Sequence, residues 1–133
     1  MIRAVADTHA VIWYLFEDGR LSRVAKEFMD DAAKNGEQIG ISAISLTEVV
    51  YLVEKAKINP ETLERLFQSI EAGNAALVEI PVTGKIASRM REVSRDLVPD
   101  MPDRIIAATA LELSVPIISR DGKIKASGLK TIW

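Results

Sequence analysis

Pro99-Asp100-Met101-Pro102-Asp103-Arg104-Ile105-Ile106-Ala107-Ala108-Thr109-Ala110-Leu111-Glu112-Leu113 is the stretch that decides the fold. Pro102 suits the first position of a helix, where its missing N–H is no loss. Asp103 then falls in the first turn, where unpaired N–H groups and the helix dipole favour a negative charge. Beyond it the residues are apolar on nearly every side, broken only by Arg104, Thr109 and Glu112. A helix of that kind is buried all round rather than along one stripe. Asp103 therefore sits at the mouth of a rigid, buried element. Taken alone, that placement asks no more of Asp103 than stabilising the helix start.

A helix buried all round needs a layer on either side, and the rest of the chain supplies strands alternating with helices. Ile2–Ala6, Gln38–Ser42, Ala76–Ile80, Pro116–Ser119 and Thr131–Trp133 read as strands. Thr8–Phe16 reads as the first helix. The second runs from a staple and cap at Leu21-Ser22 to Asn35, with Gly36 as its stop and Val24, Phe28 and Ala32 as its inner stripe. A third helix is expected from near Ser45 to about Lys57, and a fourth opens at Asn59-Pro60. Thr83 caps a fifth, with Ile86, Met90, Val93 and Leu97 facing inward. This alternation predicts a parallel sheet covered on both faces, in one domain over residues 1–133 without linker or repeat. Ligands of such sheets bind beyond the strand carboxyl ends, which directs attention to Asp7, Ser42 and the Ser119-Arg120-Asp121 turn.

Composition narrows the chemistry. The 133 residues include no cysteine and one histidine, His9, which excludes disulfides, thiol catalysis, zinc–thiolate sites and a multi-histidine metal site within one chain. No apolar run approaches a membrane span and the N-terminus lacks a signal-peptide pattern, so the cytoplasm is the expected compartment. A net charge of −2 does not by itself suggest a nucleic-acid partner, so any such partner must meet a local patch.

The acids carry the argument further. Asp7 ends the first strand and would ordinarily cap the next helix. Asp121-Gly122 would ordinarily be a turn. Ser45-Leu46-Thr47-Glu48 fits a capping box. Yet the topology puts Asp7, Glu48, Asp103 and Asp121 at one end of the sheet. Two carboxylates about 4 Å apart repel by about 4 kcal/mol at an effective dielectric near 20, so such a cluster needs protons or cations. Oxygen-only ligands select hard divalent ions, Mg²⁺ or Mn²⁺, which polarise a phosphodiester and lower the pKa of an attacking water.

Asp7-Thr8-His9-Ala10, Ser45-Leu46-Thr47-Glu48, Pro102-Asp103-Arg104-Ile105-Ile106-Ala107-Ala108-Thr109-Ala110 and Ser119-Arg120-Asp121, in that order, resemble the PIN domain, and within it the VapC-type toxins of toxin–antitoxin pairs. The resemblance spans essentially the whole chain. It implies a three-layer α/β/α fold on a parallel sheet and a Mg²⁺- or Mn²⁺-dependent endoribonuclease. It points to Asp7, Glu48 and Asp103 as the main acids and to Asp121 as the fourth, with Thr8 and Ser119 holding acids or water. In that family a metal-bound water attacks phosphorus, leaving a 5′-phosphate and a 3′-hydroxyl. The resemblance further implies an RNA substrate, a homodimer and an antitoxin partner. Its alternative is a PIN-like module that has lost catalysis and only holds RNA or protein.

Other residues are weighed beside these. Arg104 and Arg120 each adjoin an acid, and are expected either to pair with it or to contact the phosphate next to the cut. Asp100 is expected in the solvated loop before the helix, with support of the main acids from behind as its alternative. His9 is expected to be structural or partner-facing. Trp13 and Tyr14, as helix neighbours, cannot both face the core, so one is expected at an interface. The cations at Lys85, Arg89, Arg91, Arg95, Lys123 and Lys125 read first as wet faces, and second as what an RNA backbone would meet. Phosphotransfer domains with an Asp on a parallel sheet fit poorly, since the dehalogenase type needs an Asp where His9 stands and the receiver type needs paired acids where Asp7 is alone.

Overall fold

A computed structural model describes residues 1–72 and 76–133. Chain order is β1 (Ile2–Ala6), α1 (Thr8–Leu15), α2 (Arg23–Lys34), β2 (Gln38–Ser42), α3 (Ala43–Glu54), α4 (Pro60–Glu71), β3 (Leu77–Ile80), α5 (Gly84–Arg89), a 3₁₀ turn (Met90–Glu92), α6 (Met101–Leu113), β4 (Ile117–Ile118), α7 (Gly122–Ala126) and β5 (Thr131–Ile132). Every strand pairing among them is parallel, and the spatial order is β3-β2-β1-β4-β5. Helices flank both faces, giving the three-layer α/β/α arrangement.

Side chains alternate across the sheet as a strand requires. Ala4, Ala6, Ile39, Ile41 and Ile118 pack on one face with Val11, Trp13, Met29, Val49 and Leu66 of α1 to α4. Val5 and Ile117 pack on the other with Ile86, Ile105, Ile106, Ala107, Ala110 and Ile124 of α5, α6 and α7. Gly40 of β2 lets the Ile80 side chain of the neighbouring strand β3 lie close: a Cβ there would stand 3.0 Å from Ile80 Cγ1, so Ile80 would have to give. Helix α6 is buried continuously from Ile105 to Ala110, Thr109 included, whose hydroxyl donates to the Ile105 carbonyl at 2.7 Å.

The register sets the functional edge. Ala6 pairs with Ile41 on one side and Ile118 on the other. The residues that follow, Asp7, Ser42 and Ser119, thus emerge level at the carboxyl ends of adjacent strands. Chain order reverses at β1, since β2 lies on one side and β4 on the other. Such a reversal opens a crevice beyond the strand ends.

Several expectations are corrected. The inner stripe of α2 is Ala25, Met29 and Ala32, with Phe28 half-buried at its edge; Val24 is 57% exposed, since the face that meets the core runs through Ala25 and Met29, one position further along than expected. Helix α3 begins at Ala43 with Ser42 as its cap, so Ser45 and Glu48 form no capping box. Helix α5 gives way to the 3₁₀ turn at Met90, and Leu97 is exposed while Val98 is buried. Helix α6 starts one residue early, capped by Asp100, which puts Pro102 second and Asp103 third. The Asp121 turn opens an unforeseen short helix, α7.

Ile106 is 1% exposed between α6 and the sheet. Ile106→Ala is expected to cost about 2–5 kcal/mol in urea unfolding. A loss under about 1 kcal/mol would contradict burial of α6 on all sides.

Candidate active site

An open cleft of about 510 Å³ lies at the carboxyl edge of the sheet, lined by Asp7, Thr8, His9, Trp13, Arg20, Glu48, Asp100, Asp103, Arg120 and Asp121. All four acids expected from the sequence border it, together with a fifth, Asp100. Thr8 is in the wall; Ser119, 2% exposed, lies just beneath.

Local structure fixes each carboxylate. Asp7 caps α1, its Oδ1 accepting from the Ala10 N–H at 2.9 Å. Asp100 caps α6, its Oδ2 accepting from the Asp103 N–H at 3.3 Å. Asp121 caps α7, its Oδ1 accepting from the Lys123 N–H at 2.8 Å. Asp103 stands in the first turn of α6. Glu48 has no helix start to hold it, and Thr8 does so instead: Thr8 Oγ1 donates to Glu48 Oε1 at 2.7 Å. A hydroxyl has one proton, so Ser45 Oγ, 2.8 Å from Thr8 Oγ1, is the donor to it. Ser119 Oγ accepts from the Asp121 N–H at 3.0 Å, and the same hydroxyl lies against Asp7.

This crowding shows in proton affinity. Burial pushes the Asp103 carboxyl up to about 7, and the charges of Asp100, Asp121, Glu48 and Asp7 push it the same way. Burial raises Glu48 too, against the Thr8 hydrogen bond that lowers it. Burial likewise raises Asp7, opposed by the Ser119 hydroxyl and the Ala10 N–H. Among the described residues, no three acid or histidine side chains are gathered tightly enough to make a complete ligand set. The carboxylates face a shared space at a looser spacing.

Other residues fall where the sequence did not put them. Arg104 turns away from the cleft and donates through Nη2 to the carbonyls of Met90 (2.6 Å) and Val93 (3.3 Å), tying α6 to the 3₁₀ turn. In this position it holds the two segments together and does not line the cleft. Arg120 stays at the cleft, over the Trp13 ring. Ser42 is buried as the cap of α3 and does not line the cleft. His9 is exposed at the lip with its ring 5.6 Å from that of Trp13. Trp13 is buried, and Tyr14 donates to Asp30 of α2 at 2.7 Å. Arg89 is paired with Glu92 and Glu112. Asp100, expected in the loop before the helix, lines the cleft, and Arg20 lines it unforeseen. Asp100 carried a signal, an Asp three residues before another acid with Pro between, which is a capping pattern. Arg20 carried none, since only the folded loop brings it to the cleft.

Fold and cleft together define an α/β domain with convergent carboxylates at the switch point of a parallel sheet. Residues 4–128 match the PIN domain, and the chain belongs to that family. It is similar to Ribonuclease VapC22 of Mycobacterium tuberculosis, at 23% identity over 131 residues covering 95% of this chain and 92% of the relative. Its fold is similar to VapBC2 of Rickettsia felis bound to a promoter DNA fragment, with a TM-score of 0.72, 21% identity and coverage of 98% and 97% of the two chains. It is also similar to a toxin–antitoxin complex from Klebsiella pneumoniae, with a TM-score of 0.64, 26% identity and coverage of 92% and 90%.

A carboxyl that ordinarily titrates at 3.8 and here at about 7 holds its proton in the folded state across that interval. Folding then takes up a proton, so this group's contribution to stability is greatest below the ordinary value and is lost as pH rises through 7. In chelator, melting temperature is expected to fall between about pH 4 and pH 8, and Asp103→Asn should flatten the fall and melt a few degrees higher at pH 8. A lower midpoint for Asp103→Asn at pH 8 would contradict crowded acids.

Proposed function

We propose that this chain is a divalent-metal-dependent endoribonuclease of the VapC type, a single PIN domain over residues 1–133 and the toxin half of a toxin–antitoxin pair. The observation that carries the reading is the five-carboxylate cleft at the sheet's carboxyl edge, in a chain similar to a named ribonuclease. The toxin–antitoxin complexes among its structural neighbours support an antitoxin protein as partner. A homodimer and a cytoplasmic setting follow from the family resemblance; among the described residues no helix is long and apolar enough to cross a membrane.

The donor set fits Mg²⁺ or Mn²⁺. Every charged donor except the lip histidine is a hard carboxylate oxygen. Mg²⁺ in particular keeps several waters and takes only one or two carboxylates directly, so loosely spaced acids around an open cleft suit it better than a tight cage would. Asp7, Glu48, Asp103 and Asp121 would hold the ion, with Asp100 adding to the field. Once bound, such an ion polarises a phosphodiester and lowers the pKa of water. Asp103, whose carboxyl burial and the neighbouring acids push up, would lose its proton to solvent if it held such an ion.

The chain's own residues do the rest. Thr8 orients Glu48, and Ser119 spans Asp7 and Asp121, so the carboxylates keep their aim when substrate enters. Arg120 offers a guanidinium to a phosphate beside the cut. Hydrolysis breaks the bond between phosphorus and the 3′-oxygen and leaves a 5′-phosphate and a 3′-hydroxyl, with no bond formed to the protein.

Incubation with end-labelled RNA tests this. Cleavage should need Mg²⁺ or Mn²⁺, stop in chelator, and fall at least about a hundredfold in Asp7→Asn and in Asp103→Asn, as the loss of several kcal/mol of charge stabilisation would give. Equal cutting by both variants would overturn the site. A parent that binds RNA and never cuts it would make the chain a PIN-like binding module.

A further inference from the structure

Beside the acids, the cleft carries a cationic and aromatic unit assembled from two loops. Trp13 is 5% exposed yet borders the cleft, and two guanidinium groups lie over its ring, Arg20 at 5.1 Å and Arg120 at 4.5 Å from the centroid. Arg20 is held in place. The Asp18 N–H donates to the Trp13 carbonyl at 2.8 Å, folding the loop after α1 back over the helix end. The Asp18 carboxylate then takes Arg20 along one edge, from Nε to Oδ1 at 3.0 Å and from Nη2 to Oδ2 at 2.7 Å. That leaves the Nη1–Nη2 end of the fork for a second oxyanion. The side chain keeps 63% of its exposure. Arg120 comes from the turn between β4 and α7 and, among the described residues, makes no ion pair.

A cleft lined by five carboxylates repels a polyanion everywhere except where fixed cations offset them, and Arg20 and Arg120 are the fixed cations in its wall. Stacking on an aromatic face and paired presentation of N–H groups are properties of arginine that lysine lacks. We infer that Arg20 and Arg120, seated on Trp13, form a two-pronged clamp for backbone phosphates of an RNA strand, and so set which phosphodiester lies over the acids. The inference rests on the ribonuclease reading above. Arg20 and Asp18 are new to that reading, with Asp18 positioning Arg20 rather than touching the strand.

The test uses the full chain and a single-stranded RNA octamer. Binding is measured in chelator across a salt series, and cleavage kinetics are measured with Mg²⁺. Arg20→Gln and Arg120→Gln should each weaken binding about tenfold and lower the slope of log affinity against log salt by about 0.7, the value for one phosphate contact on a single strand. KM should rise by a similar factor while kcat stays within about threefold, as for a group that binds substrate and transition state alike. Arg20→Lys and Arg120→Lys should restore the salt slope without restoring affinity. Lys57→Gln, exposed past the far end of α3 and outside the cleft wall, should change neither. Melting curves confirm that each exposed-site variant is folded. If the parent binds and cuts RNA and both glutamine variants match it, the clamp is wrong and the ribonuclease reading stands. Equal weakening in Lys57→Gln also overturns the clamp, since charge alone would then suffice. A parent that neither binds nor cuts RNA overturns both.

Discussion

Carboxylates that share a cleft repel one another, and this fold turns five of them toward one at the edge of its sheet. A single close pair costs about 4 kcal/mol at an effective dielectric near 20, set against a domain stability of about 5–15 kcal/mol. The chain offsets that repulsion with its own helix starts. Asp7, Asp100 and Asp121 each accept from a main-chain N–H at the head of α1, α6 or α7, and Asp103 lies in the first turn of α6. The partial positive charge at those helix ends favours an anion there. Capping and site-building are therefore one arrangement: the groups that stabilise the helices are the groups that face the cleft.

Topology explains why the helix starts converge. In a parallel sheet every crossover returns the chain to the same edge, so each helix after a strand begins at the carboxyl side. The reversal of strand order at β1 separates the helices following β1 and β4, and the buried helix α6 brings its own start to the gap. Because α6 is packed on all sides from Ile105 to Ala110, Asp103 cannot withdraw from its neighbours without loss of core. Burial of that carboxyl among its acidic neighbours pushes its proton affinity up.

Much of this was legible in the sequence, for definite reasons. The apolar run of α6 is too complete for a surface helix, and alternating strands and helices leave few arrangements for Asp7, Glu48, Asp103 and Asp121. Caps at Ser22, Asn59 and Thr83 were readable because their short polar side chains have one dominant use before a helix. The errors have equally physical origins. Ser-x-x-Glu at Ser45 offers a capping box as the bland alternative for Glu48, whereas helix α3 starts directly at the strand end and Ser45 turns inward to Thr8. Arg104 was read by its adjacency to Asp103, but neighbours on a helix diverge by about 100° and its guanidinium points to Met90 and Val93. Arg20 depends on a loop folding back onto Trp13, which no periodicity records.

The central claim is that the acids share one electrostatic environment, in which a divalent ion would bind and release to solvent the proton held on Asp103. The most direct measurement is the carboxyl carbon chemical shift of Asp103 followed by NMR across pH, in metal-free protein and again with Mg²⁺. Without metal it should titrate near 7, as part of a coupled set, and with Mg²⁺ the midpoint should move below its ordinary 3.8. A single midpoint close to 3.8, unchanged by Mg²⁺, would contradict the account.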